Sequence, residues 1–300
     1  MGLKGRYIAN KLKRGHEAIY RIIRKLKEGQ TAIEIYLEYK KNKMKCGRNP
    51  IELPQDEIDY INEKLDEDWT PDIIIGRKEK PISCSMKTLY RLFKKGIFHE
   101  GKLPMKGKRK PNGHQEKRGK QSFRRTLDNR KQEYPNYIEE FGHLEGDTIV
   151  GSQHKSAVIT LVERLTKCII TIKPEGRKAS DIEKALGKWF QELPRNLFKS
   201  ITFDCGKEFS NWKSISNEYD IDIYFADSGT PSQRALNENS NGILRKNGLP
   251  KEMDFRTTSQ EFITSVSSRR NNIPRKSLNY QTPIECFIKY AGKDIVSRLI

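Results

Sequence analysis

The 300-residue chain has little of what marks secreted, disulfide-stabilised or membrane proteins. It contains only five cysteines, and no two of them form a CxxC pair, so neither a zinc module nor a disulfide framework is expected. No apolar run is long enough to span a membrane. The basic N-terminal segment lacks the apolar core of a signal peptide. These absences predict a cytoplasmic protein in a reducing compartment.

Positive charge, in contrast, is abundant. The chain has 58 Lys and Arg against 39 Asp and Glu, a net charge of +19. Such a balance predicts a polyanionic partner, most often nucleic acid, with a merely cationic, ribosome-associated protein as the alternative. The first 140 residues hold 34 of the basic and 20 of the acidic residues, so most of the excess charge lies in the N-terminal half.

The first basic segment, residues 1–48, is predicted to contain part of a helix-turn-helix. A short helix, a turn at Arg14-Gly15 and a longer amphipathic helix follow one another, and Arg21 and Arg24 stand on the polar side of the second helix. Only six residues precede Tyr7, too few for the supporting helix that such a pair normally needs. We therefore interpret this module as incomplete and N-terminally truncated.

The second segment, residues 49–100, is predicted to be a complete helix-turn-helix domain. Thr70 and Pro71 have the pattern of a helix start, and Ser85 is a plausible cap for the last helix. That helix is expected to turn its apolar residues inward and to present a basic face. Such a face is typical of a helix that lies in the DNA major groove. The alternative is a small helical bundle without DNA binding, which can show the same pattern. The DNA-binding candidates on this face are Lys87, Arg91 and Lys94.

Residues 101–138 are predicted to be a basic linker. The stretch from Lys102 to Arg125 is rich in Lys, Arg and Gly and has almost no apolar periodicity. It is either a solvated tether or a tether that lies along phosphates, and the salt dependence of DNA binding would distinguish the two.

The C-terminal segment, residues 139–300, changes to an α/β pattern. Three β-rich runs separated by short turns predict an antiparallel meander, and strands then alternate with helices. The order β-β-β-α-β-α-β-α predicts a mixed five-stranded sheet with helices on both faces. If the strands are ordered 3-2-1-4-5, the first and fourth strands are neighbours.

Three acidic residues are expected to meet at one edge of this sheet. Asp147 lies on the first strand, Asp204 ends the fourth, and Glu238 lies on the helix after the fifth. Carboxylates so close would repel one another unless a divalent cation lies among them, and oxygen ligands favour Mg²⁺ or Mn²⁺. Two such ions, about 3.5–4 Å apart, can catalyse in-line phosphoryl transfer. Glu145 is expected on the opposite face from Asp147, as a supporting or surface carboxylate.

The chance alternative is that these acids are unrelated, because the chain has 39 acidic residues and some triple can always be chosen. The surrounding motifs argue against chance. HLEGDTIVG, ITFDCGKEF and QRALNENSNGILRK keep the order and spacing typical of one family, with 33 residues between Asp204 and Glu238. In these motifs the chain resembles bacterial transposases of the insertion sequence thirty family, part of the DDE superfamily.

The resemblance implies an RNase H-like, retroviral integrase-like catalytic core. Asp147, Asp204 and Glu238 would be its catalytic residues and would bind two Mg²⁺ or Mn²⁺ ions. The reaction would be strand cleavage at the ends of the element, followed by strand transfer into target DNA. Arg245 and Lys246, two turns beyond Glu238, would contact DNA near the cut, unless they are ordinary solvated charges.

The resemblance further implies how the protein assembles. The helical modules would bind the terminal inverted repeats, and a homo-oligomer would form on double-stranded DNA, associated with the bacterial nucleoid. His143 is expected to have a structural role, and Asn237 and Asn241 are expected to orient Glu238 or a phosphate.

The chain also departs from the family pattern. Asn usually follows the second Asp, where Cys205 stands, and Trp, Gly and Thr usually stand where this chain has Ser232, Ala235 and Leu236. Three interpretations stay open: an active, divergent transposase; a catalytically inactive, truncated remnant that only binds DNA; and a nuclease with an RNase H-like fold but no specificity for repeat ends. Replacing Asp147 by Asn distinguishes the first from the second, because only the first needs the carboxylate.

Overall fold

The computed structural model describes residues 3–46, 51–103, 124–227 and 230–299. Most of the predicted basic linker lies outside these residues. The chain divides into two compact units, Met1–Glu52 and Leu53–Ile300. No helix in the described part of the chain is long and apolar enough to cross a membrane.

The N-terminal unit is helical. It consists of α1 (Gly5–Leu12), α2 (His16–Lys27) and α3 (Ala32–Lys45). The predicted pair of helices with a turn between them is present as α1 and α2. The third helix begins with a capping box, in which Thr31 and Glu34 satisfy each other's backbone N–H groups.

The second unit begins with three short helices, α4 (Gln55–Asp66), α5 (Pro71–Arg77) and α6 (Met86–Lys94). Ser85 caps α6 as predicted, since its hydroxyl accepts a hydrogen bond from the Thr88 N–H at 3.3 Å. The apolar side of α6 is buried, which leaves its basic side facing outward.

The rest of this unit is built on a five-stranded sheet. Its strands are β1 (His143–Val150), β2 (Ala157–Glu163), β3 (Ile169–Ile172), β4 (Ser200–Phe203) and β5 (Asp222–Phe225). The strand order is β3-β2-β1-β4-β5. The first three strands pair antiparallel, whereas β1, β4 and β5 pair in parallel. This RNase H-like arrangement confirms the predicted fold and the neighbouring positions of the first and fourth strands.

Helices cover both faces of the sheet. They are α7 (Leu127–Glu133), α8 (Ala179–Gln191), α9 (Trp212–Tyr219), α10 (Ala235–Lys246), α11 (Gln260–Asn271), α12 (Pro283–Ala291) and α13 (Lys293–Leu299). One apolar core contains Leu144 of β1 together with residues of α8, α9 and α12, and the other contains Ile149 together with residues of α10 and α11. Because side chains alternate along a strand, the odd-numbered residues of β1 face α10 and α11.

Part of the stretch predicted as linker packs against the sheet. Thr126 forms a parallel bridge with Phe225, and α7 follows directly. The guanidinium of Arg124 lies 4.3 Å from the centre of the Phe225 ring, and that of Arg125 lies 4.6 Å from the Tyr224 ring. These contacts use arginine on aromatic faces instead of a periodic apolar stripe, so hydrophobic periodicity gave no sign of them.

Candidate active site

Asp147 lies on β1, on the face covered by α10. Its side chain is 22% exposed. One carboxylate oxygen accepts a hydrogen bond from the Thr148 N–H at 2.8 Å, and the other accepts one from Asn241 Nδ2 at 3.1 Å. These bonds fix the orientation of the carboxylate. Asn241 therefore orients Asp147 and not Glu238.

Asp204 follows directly after β4 and lies beside Asp147, because β1 and β4 are parallel neighbours. Its Oδ1 accepts a hydrogen bond from the Gly206 N–H at 2.8 Å. The guanidinium of Arg234 lies 3.5 Å from Asp147 Oδ2 and 3.8 Å from Asp204 Oδ2. The two aspartates therefore face the same point, as the strand order predicted.

Arg234 supplies a positive charge between the two aspartates. It is 8% exposed and also donates a hydrogen bond to the carbonyl of Gly146 at 3.3 Å. The pKa of Asp147 is raised above its ordinary value, mainly by burial. The charge of Asp204 adds to this rise, and the charge of Arg234 opposes it. Two aspartates held around a cationic group form a donor set that also fits a divalent metal ion.

A further acid, Glu208, was not anticipated from the sequence. Its Oε1 accepts a hydrogen bond from the Thr148 hydroxyl at 3.4 Å. A Cβ atom at Gly206 would lie 2.5 Å from Glu208 Oε2 and 2.8 Å from Asp204 Oδ1, so the glycine leaves room for both carboxylates. No sequence pattern singles out Glu208 among the acids of the chain. The next residue, Phe209, stacks its ring on Phe203 of β4 and so holds this segment against the sheet.

Glu238 is exposed on α10. Within the described ranges, no three His, Cys, Asp or Glu side chains lie close enough together to hold a metal ion. Glu238 does, however, precede Asn241 by about one helical turn, and Asn241 contacts Asp147. The structure thus brings together two of the three predicted acids, with the third on the helix that covers them.

The prediction that Glu145 faces away from Asp147 is wrong. Residues two apart in a strand share a face, so both side chains point towards α10. Glu145 is 4% exposed, and its carboxylate accepts a hydrogen bond from the Asn237 N–H at 3.0 Å and lies 3.3 Å from Arg164 Nε. Burial raises the pKa of Glu145, and these partners oppose that rise. The buried carboxylate fixes the start of α10 to β1.

His143 has the structural role expected of it. It is 1% exposed, and its ring nitrogens hydrogen bond to the Ser200 hydroxyl at 2.7 Å and to Glu140 at 3.0 Å. It lies at the start of β1, four residues before Asp147, and so joins β1 to β4 away from the two aspartates.

The predicted DNA-binding residues lie on several elements. Most of them are exposed, whereas Arg245 is half-buried on α10, and its Nε has no hydrogen-bond partner in the described residues. The exposed ones are Arg21 and Arg24 on α2, Lys87, Arg91 and Lys94 on α6, and Lys246 on α10.

Comparisons with known proteins give an independent assignment. No protein-family model matches the chain. The chain is 32% identical to the transposase for insertion sequence element IS4351 of Bacteroides fragilis, over 78% of this chain and 73% of that protein. It is 37% identical to the IS1086 transposase of Cupriavidus metallidurans, over 48% and 42%. It is 29% identical to transposase InsI for IS30A of Escherichia coli K12, over 75% and 62%. The chain therefore belongs to the insertion-sequence transposase family that includes the IS4351 and IS30 enzymes.

Proposed function

We propose that this chain is a DNA transposase that cleaves and joins DNA strands with Asp147, Asp204 and Glu238 as its catalytic carboxylates. The observation that carries the proposal is the pairing of Asp147 and Asp204 across β1 and β4, with both carboxylates directed at Arg234. Family membership supports DNA as the substrate. Glu238 is proposed as the third acid because it lies on α10, about one helical turn before Asn241, which contacts Asp147.

Divalent metal is the proposed cofactor, as two Mg²⁺ or Mn²⁺ ions held by these three acids. When bound, such ions would supply charge that stabilises the attacking and leaving oxygens of a phosphodiester. The chain's own residues prepare the ligands. Asn241 holds one oxygen of Asp147, and the Gly206 N–H holds one of Asp204. Arg234 places a positive charge within 4 Å of both aspartates, 3.5 Å from Asp147 Oδ2 and 3.8 Å from Asp204 Oδ2.

The helical modules are proposed to bind the terminal inverted repeats of the element. The basic, exposed face of α6, with Lys87, Arg91 and Lys94, is suited to the major groove, and Arg21 and Arg24 on α2 add phosphate contacts. Arg245 and Lys246 are proposed to contact DNA near the cut. Because two element ends must be joined, the active form is proposed to be a homo-oligomer on double-stranded DNA.

Strand cleavage of a labelled duplex that ends in the element's inverted repeat tests the proposal. With Mg²⁺ or Mn²⁺ we expect nicking at the repeat boundary, lost in Asp147→Asn, Asp204→Asn and Glu238→Gln but retained in Glu192→Gln, a control at an exposed acid after α8. Repeat binding should persist in all four variants. Specific binding without cleavage by the unmodified chain would instead identify an inactive DNA-binding remnant, and cleavage of any duplex would identify a general nuclease.

A further inference from the structure

A cavity of about 550 Å³ lies beside Asp204, between α7 and the end of β5, and none of its residues is among those proposed above. Five basic and two acidic residues line it, so its charge is strongly positive. The residues that matter here are Arg124, Arg130, Tyr137, Arg164 and Cys205.

Two guanidinium groups are held against one aromatic ring in this cavity. Arg130 lies 4.1 Å and Arg164 lies 4.6 Å from the centre of the Tyr137 ring. Burial, and then the charge of Arg164, lower the pKa of Arg130. Cation–π contact stabilises each group, but the two like charges also repel each other. The arrangement therefore favours an anion nearby.

The hydrogen-bonding capacity of Arg130 is only partly used. Arg130 is 3% exposed, and its NH1 donates to the Thr202 hydroxyl at 2.6 Å. Its Nε is buried and has no hydrogen-bond partner within the described part of the chain. Glu145, 3.3 Å from Arg164 Nε, is a single carboxylate beside two guanidinium groups. A buried, unpaired donor of this kind is costly unless a ligand accepts from it.

The cavity is tied to the catalytic loop by Arg124. Its guanidinium donates hydrogen bonds to the carbonyls of Asp204 and Gly206, at 3.3 Å and 3.2 Å. Cys205, which lies between those two residues, lines the cavity. An anion bound here would therefore be adjacent to Asp204, where the scissile phosphate is expected.

We propose that this cavity binds a DNA backbone phosphate next to the phosphate that is cut, with Arg130 and Arg164 as the binding groups. Arg124 joins the cavity to the catalytic loop through the carbonyls of Asp204 and Gly206. The inference rests on the proposed function for the identity of the ligand as DNA. Guanidinium groups suit it because they donate several hydrogen bonds to phosphate oxygens in a fixed geometry.

The test measures the affinity of the full chain for the inverted-repeat duplex without divalent metal, so that it does not depend on cleavage. Arg164→Gln, whose amide can still donate to Glu145, should lower the affinity about tenfold at moderate salt and reduce the slope of log affinity against log salt by about one. The second variant, Arg124→Gln, should likewise lower the affinity and the salt slope. Lys184→Gln, which removes one exposed charge on α8, is the matched control and should change neither value.

The contact is then assigned to one phosphate. Single methylphosphonate linkages, which lack the charge, are placed in turn on each strand of the inverted-repeat duplex. A linkage that weakens binding of the unmodified chain but not of Arg164→Gln identifies the bound phosphate and its strand. Circular dichroism and urea unfolding establish that each variant is folded, and Arg164→Lys, which keeps the charge, should lose less affinity than Arg164→Gln.

The proposal is overturned if folded Arg164→Gln and Arg124→Gln bind with unchanged affinity and salt slope, or if every methylphosphonate penalty persists in them. Failure of the proposed catalytic function would give a different set of results. In that case the phosphate contact is found in the binding experiment, but the chain with Mg²⁺ or Mn²⁺ cuts no DNA.

Discussion

At the scale of single residues, the central feature is the position of Arg234 between two carboxylates. A guanidinium group and a divalent ion compete for the same oxygens of Asp147 and Asp204. Replacing Arg234 by Gln should therefore raise the affinity of the protein for Mn²⁺ by about three- to tenfold. Titration calorimetry without DNA measures this.

Arg256→Gln is the control, because within the described residues Arg256 forms its ion pair with the half-buried Asp254 and not with Asp147 or Asp204. The affinity of the Arg256→Gln variant for Mn²⁺ should equal that of the unmodified chain. A weaker Mn²⁺ affinity in Arg234→Gln would mean that Arg234 arranges the aspartates for the ion and does not compete with it.

His143 should make stability depend on pH. Burial lowers its pKa below the ordinary value of 6.5, although Glu140 opposes the shift. The unfolded chain therefore binds a proton at a pH where folded His143 is still neutral, so this residue's contribution to stability is lost as pH falls below 6.5. Urea unfolding at about pH 7.5 and about pH 5.5 should show a smaller loss in His143→Gln than in the unmodified chain. Equal losses would contradict this assignment.

At the scale of elements, one asparagine closes the edge of the sheet. Asn271 of α11 is fully buried, accepts a hydrogen bond from the Ile169 N–H at 2.8 Å and donates one to the Ile169 carbonyl at 2.7 Å. Its side chain thus replaces a missing strand beside β3. Asn271→Ala leaves two buried backbone groups unpaired and should lower the free energy of unfolding by about 2–4 kcal/mol. Asn272→Ala, at an exposed neighbour, should cost far less in the same urea titration.

The elements also indicate what the sequence could and could not predict. Apolar runs with short turns predicted all five strands, because burial on both faces of the central strands leaves a strong pattern. The order of the strands was assumed and not read from this pattern, and the structure has that order. Packing that depends on polar groups left no such pattern. Arg124 and Arg125 fix a segment expected to be linker, and Glu208 joins the site from a short 3-10 helix, Lys207–Phe209. Glu145 could have been predicted, since strand alternation alone determines its face.

At the scale of the whole molecule, the helices α4 to α6 are joined to the part that contains the sheet, within the second unit. Both terminal nitrogens of Arg77 on α5 bond to the Glu285 carboxylate of α12, at 3.0 Å and 2.7 Å, and NH1 also donates to the Tyr280 carbonyl at 2.8 Å. A Cβ atom at Gly76 would lie 2.0 Å from the Tyr280 ring, so α5 lies directly on it. The basic face of α6 is therefore held at a fixed distance from Asp147.

This fixed distance should determine where the DNA is cut. Arg77→Gln removes the bidentate ion pair with Glu285. At a half-exposed site such a pair contributes about 1 kcal/mol to stability, so its loss lets helices α4 to α6 shift on α12. On a labelled repeat duplex we expect unchanged binding but slower cleavage, spread over several positions around the boundary. Lys80→Gln is the matched control, because Lys80 pairs with Asp56 inside the same helical part. If Arg77→Gln cuts at the same single position as Lys80→Gln, this contact does not set the register, because the DNA itself would then hold the two parts in line.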